Sequence, residues 1–116
     1  MKKPLYSYIP KRLKIAGKRV NIELMPRTWV DEEEMWGCFL ADEGVIKLCP
    51  YNTPEHVLDT LLHEIGHACY SHWNMQDRDD EERIVHTMAS AQQQLFTDNE
   101  HLLRCIQKYT KAIREG

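Results

Sequence analysis

Thr53-Pro54-Glu55-His56-Val57-Leu58-Asp59-Thr60-Leu61-Leu62-His63-Glu64-Ile65-Gly66-His67-Ala68 is the stretch on which the reading turns. Val57, Leu58, Leu61, Leu62 and Ile65 recur at helical spacing and define a buried stripe. Asn52 or Thr53 can cap the helix, and Pro54 suits its first turn, where no amide partner is lost. The spacing predicts a helix to about Ser71.

His63-Glu64-Ile65-Gly66-His67 is H-E-x-x-H inside that helix. Residues four apart project from one helix face, so both imidazoles can reach a single Zn²⁺. Glu64, beside the first ligand, can take a proton from the water that the metal activates. Gly66 in a helix interior costs roughly 1 kcal/mol relative to alanine, which points to close packing near a site.

A catalytic zinc needs a third protein ligand and an open fourth position. His72 lies five residues past His67 and off the helix face unless the helix ends between them. Its spacing also misses the H-E-x-x-H-x-x-G-x-x-H pattern. Asp77, Asp79 and Asp80 are loop acids within chain reach of a metal. Glu81 and Glu82 open the next helix, and periodicity favours Glu81, nearer the middle of the face formed by Ile84, Val85 and Met88. For the oxyanion, Tyr70 returns to the metal face seven residues after His63, and His56 precedes His63 on that face. For each of the two, packing or a surface position is the commoner role.

Outward from the helix, Leu13-Lys14-Ile15 and Val20-Asn21-Ile22-Glu23-Leu24 alternate around an Ala16-Gly17-Lys18 turn, as a β-hairpin does. Gly37–Ala41 and Val45–Cys49 flank Asp42-Glu43-Gly44 as a second hairpin. Asp31–Glu34 reads as an acidic loop or a short helical turn. Residues 1–10, with Pro4 and Pro10, read as an irregular basic arm. Downstream, Ile84, Val85, Met88, Ala89, Leu95 and Phe96 form one helical face. Thr97-Asp98-Asn99-Glu100 fits a capping box for a last helix carrying Leu102, Ile106, Tyr109 and Ile113. Strands first and helices after mean α+β: a small, curved, antiparallel-rich sheet of two hairpins packed on the H-E-x-x-H helix, then two further helices.

Composition agrees with one globular domain over residues 1–116. The chain is 42% hydrophobic and 28% charged, with five Gly and five Pro, which excludes low-complexity and collagen-like classes. No apolar run approaches a membrane span, and no secretory signal is evident, so no membrane partner is expected. Cys38, Cys49, Cys69 and Cys105 form no C-x-x-C pair and read as reduced cytoplasmic thiols. A Cys38–Cys49 bridge across the second hairpin is geometrically possible, but thiols are expected. Net charge is −3, unevenly spread: residues 1–30 hold eight Lys and Arg against one Glu, and residues 31–116 hold seven against seventeen acids. The basic segment can meet nucleic acid or an acidic partner, although a solvated strand face explains the same charge.

The stretch Asp59–Ala68 resembles the active-site helix of small zincins. More narrowly, the chain resembles short phage- and prophage-encoded metallopeptidases, distantly similar to the ImmA/IrrE family. Trp36-Gly37-Cys38 and Val45-Ile46-Lys47-Leu48 match that family's lead-in to the helix. Glu82-Arg83-Ile84-Val85-His86-Thr87-Met88-Ala89, followed by Asp98-Asn99, matches its next helix with Met for Leu. The resemblance covers roughly residues 13–103. It implies a gluzincin-type zinc peptidase acting on peptide or protein, with His63, His67 and Glu82 as ligands and Glu64 as base. Glu82 thereby takes precedence over Glu81, and His86 could hydrogen-bond a ligand from one turn further on. Two other expectations compete. One is a catalytically silent, zinc-stabilised binding or regulatory module of phage origin, closed by His72. The other is a nucleic-acid-associated protein using its basic N-terminal segment.

Overall fold

The computed structural model describes residues 3–73 and 81–116, apart from the side chains of residues 81, 82 and 85. The first hairpin pairs β1 (Arg12–Ile15) with β2 (Lys18–Leu24), joined by the two residues Ala16 and Gly17. Both have positive φ, +52° and +79°. That is the primed turn which follows the twist of the flanking strands, and Gly17 adopts it without steric cost.

Pro26 ends β2, and α1 (Arg27–Glu33) follows. Of the two expectations for the acidic run, loop or short helical turn, the helical one holds: the run lies mainly on this short helix, which stops where Glu34 turns left-handed at φ +57°. The second hairpin pairs β3 (Gly37–Leu40) with β4 (Val45–Leu48). The two hairpins meet through β2 and β4, which run parallel, with Ile22 opposite Ile46 and Leu24 opposite Leu48. The sheet is therefore mixed, in the order β1-β2-β4-β3. The segment through α1 and β3 supplies the crossover that a parallel pair requires.

Three longer helices follow: α2 (Pro54–His72), α3 (Glu81–Asp98) and α4 (Glu100–Glu115). Thr53 caps α2 by accepting the amide of His56 at 3.3 Å. One face of the sheet, carrying Leu13, Ile15, Val20, Ile22, Ile46 and Leu48, packs on Val57, Leu61, Ile65 and Ala68 of α2 and on Leu102, Cys105 and Tyr109 of α4. Burying an aliphatic side chain of this size contributes about 1.5–3 kcal/mol. The fold class is α+β, as expected.

Several local expectations change. Within residues 1–10, Leu5–Tyr8 forms a 3-10 turn, and Ile9 is buried in the core. The arm is irregular only in part, because apolar Leu5, Tyr6 and Ile9 hold it against the core. Leu62, expected in the buried stripe, is 40% exposed. The α3 stripe also differs: Leu95 and Ala91 are buried, while Met88 and Phe96 are exposed. The reason is that α3 leans on β1 and α4 rather than closely on α2.

The capping box is not formed. Asn99 is the cap residue of α4, but its side chain makes no cap bond. Its Oδ1 instead accepts the amide of Lys14 at 2.7 Å, and its Nδ2 donates to the carbonyls of Lys14 and Leu95 at 2.9 and 2.6 Å. The α3–α4 joint is thereby tied to β1.

Candidate metal centre

The apolar stripe of α2 turns toward the sheet, and this sets the direction of everything else on the helix. His63 and His67 fall on the exposed side, whereas Glu64 points inward and is only 7% exposed. The two imidazoles meet edge to face with centroids 4.7 Å apart, and their Nε2 atoms are 3.1 Å apart. With zinc–nitrogen bonds of about 2.0–2.1 Å and tetrahedral angles, two ligating nitrogens stand about 3.3–3.4 Å apart. The pair is therefore spaced close to one edge of a zinc tetrahedron, and neutral imidazole is a suitable donor. The same distance also suits an N–H···N bond between the two rings.

Glu64 lines a cleft of about 470 Å³ together with His67 and Tyr70 of α2 and Gly37, Cys38 and Phe39 of β3. The cleft follows an edge strand, since among the described residues β3 pairs only with β4. Gly37 sets how closely β3 approaches α2. A Cβ at that position would stand 2.7 Å from Thr60 Cγ2 and 3.3 Å from Glu64 Cγ. Only glycine fits such an approach without displacement, so Gly37 helps hold the wall of the cleft beside Glu64. The motif's other glycine behaves differently. Among the described residues, a Cβ on Gly66 would meet nothing within 4 Å, so they show no close packing of the kind expected there.

Cys38 stands across from Lys47 in the β3–β4 register, and all four cysteines are free thiols. Partial burial, and then the Glu64 carboxylate, push the Cys38 thiol above its ordinary pKa, while Lys47 pulls the other way.

The remaining candidates are dispersed along α2 and α3. Tyr70 is 41% exposed and borders the cleft, close enough to serve a group bound there. His56 packs edge-on against Trp36 at 5.0 Å, with its Nδ1 buried and unpartnered among the described residues. Arg27 lies over the same indole at 4.8 Å. His72 turns its Nδ1 to the Ala68 carbonyl at 2.8 Å and its ring toward Phe39. His86 is exposed on α3. The side chains of Glu81 and Glu82, and Asp77, Asp79 and Asp80 altogether, lie outside the described residues. Among the described residues, no group of three or more His, Cys, Asp or Glu side chains gathers to hold a metal.

Sequence reasoning singled out both histidines and Glu64 but not the full composition of the cleft. Met35, Phe39, Ala41 and Ser71 line it only because β3 lies along α2. A lone glycine opening a strand was the available sign for Gly37. No family model, curated protein or solved structure matches this chain.

Proposed function

We propose that this protein is a zinc-dependent peptidase, with His63, His67 and Glu82 as ligands and Glu64 as general base. The observation that carries the reading is the His63–His67 Nε2 pair at 3.1 Å, next to Glu64 in a cleft along an edge strand. Glu82 rests on the family resemblance, with Glu81 and His72 as the alternatives. Zinc, when bound, supplies a Lewis acid for the scissile carbonyl and a lowered pKa for water. An extended peptide adds to the open edge of β3 through backbone hydrogen bonds. Glu64 accepts the proton of the attacking water and delivers it to the leaving amine. Tyr70, at the cleft rim, donates to the developing oxyanion. Four free thiols suit a reducing cytoplasm.

The test pairs metal content with turnover. Purified protein is expected to hold about one zinc per chain. Glu64→Gln should keep that zinc and lose peptide hydrolysis. Full hydrolysis by the variant, or wild-type protein that holds no zinc and hydrolyses nothing in its presence, overturns the reading. Zinc retained by an inactive wild type instead supports a structural, silent module.

A further inference from the structure

The sheet edge farthest from β3 carries a second feature, independent of the zinc reading. Two adjoining clefts of about 630 and 470 Å³ open between β1, the N-terminal arm and the start of α4, and both are lined by Arg12 and His101. Lys14 and Arg19 line the first; Lys11 and Arg104 line the second.

Their convergence has a structural cause. Alternation along β1 sends Leu13 and Ile15 into the core and leaves Arg12 and Lys14 outside. The hairpin register then sets Lys14 directly opposite Arg19. Like charges facing each other across a strand pair are destabilising without a counter-charge. Asp98 and Glu100 border the first cleft, while the second has no acidic residue in its lining. Among the described residues, Lys11, Arg12, Lys14, Arg19 and Arg104 make no ion pair. The second cleft thus concentrates positive charge with no acidic residue in its own lining to offset it.

We propose that these clefts bind the phosphodiester backbone of single-stranded nucleic acid. Charge complementarity favours a polyanion, because each added phosphate contact releases counterions. The cations line recesses, which a flexible strand can enter, whereas a stiff duplex meets only the rim. A lipid surface is disfavoured because membrane-binding elements pair basic residues with an apolar face that inserts, and the aliphatic residues lining these clefts, Leu13 and Ile9, are buried. Tyr8 borders the second cleft, but Lys108 covers its ring at 5.0 Å, which leaves little platform for base stacking. Recognition is therefore of the backbone and tolerant of sequence.

The test is fluorescence anisotropy of a labelled oligothymidylate with the full chain. Binding should weaken with salt, with a log–log slope of roughly −3 to −4 if about five phosphates are contacted. Arg12→Glu combined with Arg104→Glu should lower affinity at least roughly tenfold and flatten the slope by about one to two. Lys111→Glu, outside the clefts, should change affinity far less. Both Arg12 and Arg104 are exposed, so an unchanged thermal melt is the expected control for folding. Lys14→Gln provides a milder second variant should the reversal unfold the chain. His63→Ala should bind the oligonucleotide as wild type does, which keeps failure here distinct from failure of the peptidase reading. No binding at low salt, or binding indifferent to the cleft variants, overturns the proposal. So does equal or tighter binding of a duplex, polyglutamate or phosphatidylserine vesicles.

Discussion

Gly37 and Thr60 face each other so closely that a Cβ on Gly37 would stand 2.7 Å from Thr60 Cγ2. This approach joins the edge strand to the helix that carries His63, Glu64 and His67. It leaves the cleft wall dependent on an absent methyl group.

Gly37→Ala should therefore destabilise the fold by about 1–3 kcal/mol, the usual cost of overpacking a close contact. Thr60→Ser removes Cγ2 and keeps the hydroxyl that donates to the His56 carbonyl at 2.8 Å. The double variant should recover much of the lost stability in chemical denaturation. If Gly37→Ala unfolds at the wild-type midpoint, the contact is looser than described.

The third ligand can be assigned by zinc affinity. Glu82→Ala should weaken binding by orders of magnitude, whereas Glu81→Ala should cost little, as an exposed first-turn acid would. The reverse result selects Glu81. If only His72→Ala weakens binding, histidine closes the site and a structural metal becomes the better account.

Thiol alkylation reports on the cleft without any metal. Cys38 is the one partly exposed cysteine, since Cys49, Cys69 and Cys105 are buried. Native protein should thus lose one thiol to iodoacetamide well before the other three. Its raised pKa means less thiolate at a given pH, so the reaction should be slower than with a free thiol and should accelerate with pH. Glu64→Gln removes a charge that raises this pKa, and should speed alkylation. An unchanged rate would separate Glu64 from Cys38.

Alkaline pH should erode stability from within the core. Burial pushes Cys105 up to about 12 from 9.0 and also raises Cys69 and Tyr109. These groups are held neutral, so the folded state keeps protons that the unfolded chain releases. The contribution of the thiols is full below their unfolded pKa near 9, and that of Cys105 is lost as pH rises toward 12; Tyr109 follows from its own unfolded value of 10.0 upward. The melting temperature should fall across that window, and less steeply in Cys105→Ala. A parallel decline in both proteins would assign the loss to other groups.

Much of the site was legible because its signals are local. His63 and His67 share a face through the helical repeat alone, and the same repeat turns Ile65 and Ala68 toward the core. The hairpins were equally readable, since Ala16-Gly17 and Asp42-Glu43-Gly44 carry their own turn chemistry. The α3 stripe was misread for the opposite reason. Its periodicity is real, but which side is covered depends on where β1 and α4 lie, and Asn99, bonded to Lys14 from 85 positions away, helps set that relation.

The sequence alone determined the helix that carries the motif, the shared face of His63 and His67, and the strand alternation that sets Lys14 apart from Leu13 and Ile15. These follow from periods of 3.6 and 2 residues acting within a few positions. Tertiary structure alone decided that β2 joins β4 in parallel, that Gly37 meets Thr60, and that Arg12 of β1 and Arg104 of α4 line one cleft. Each of those contacts joins residues far apart in the chain, and its geometry comes from how whole faces bury against one another.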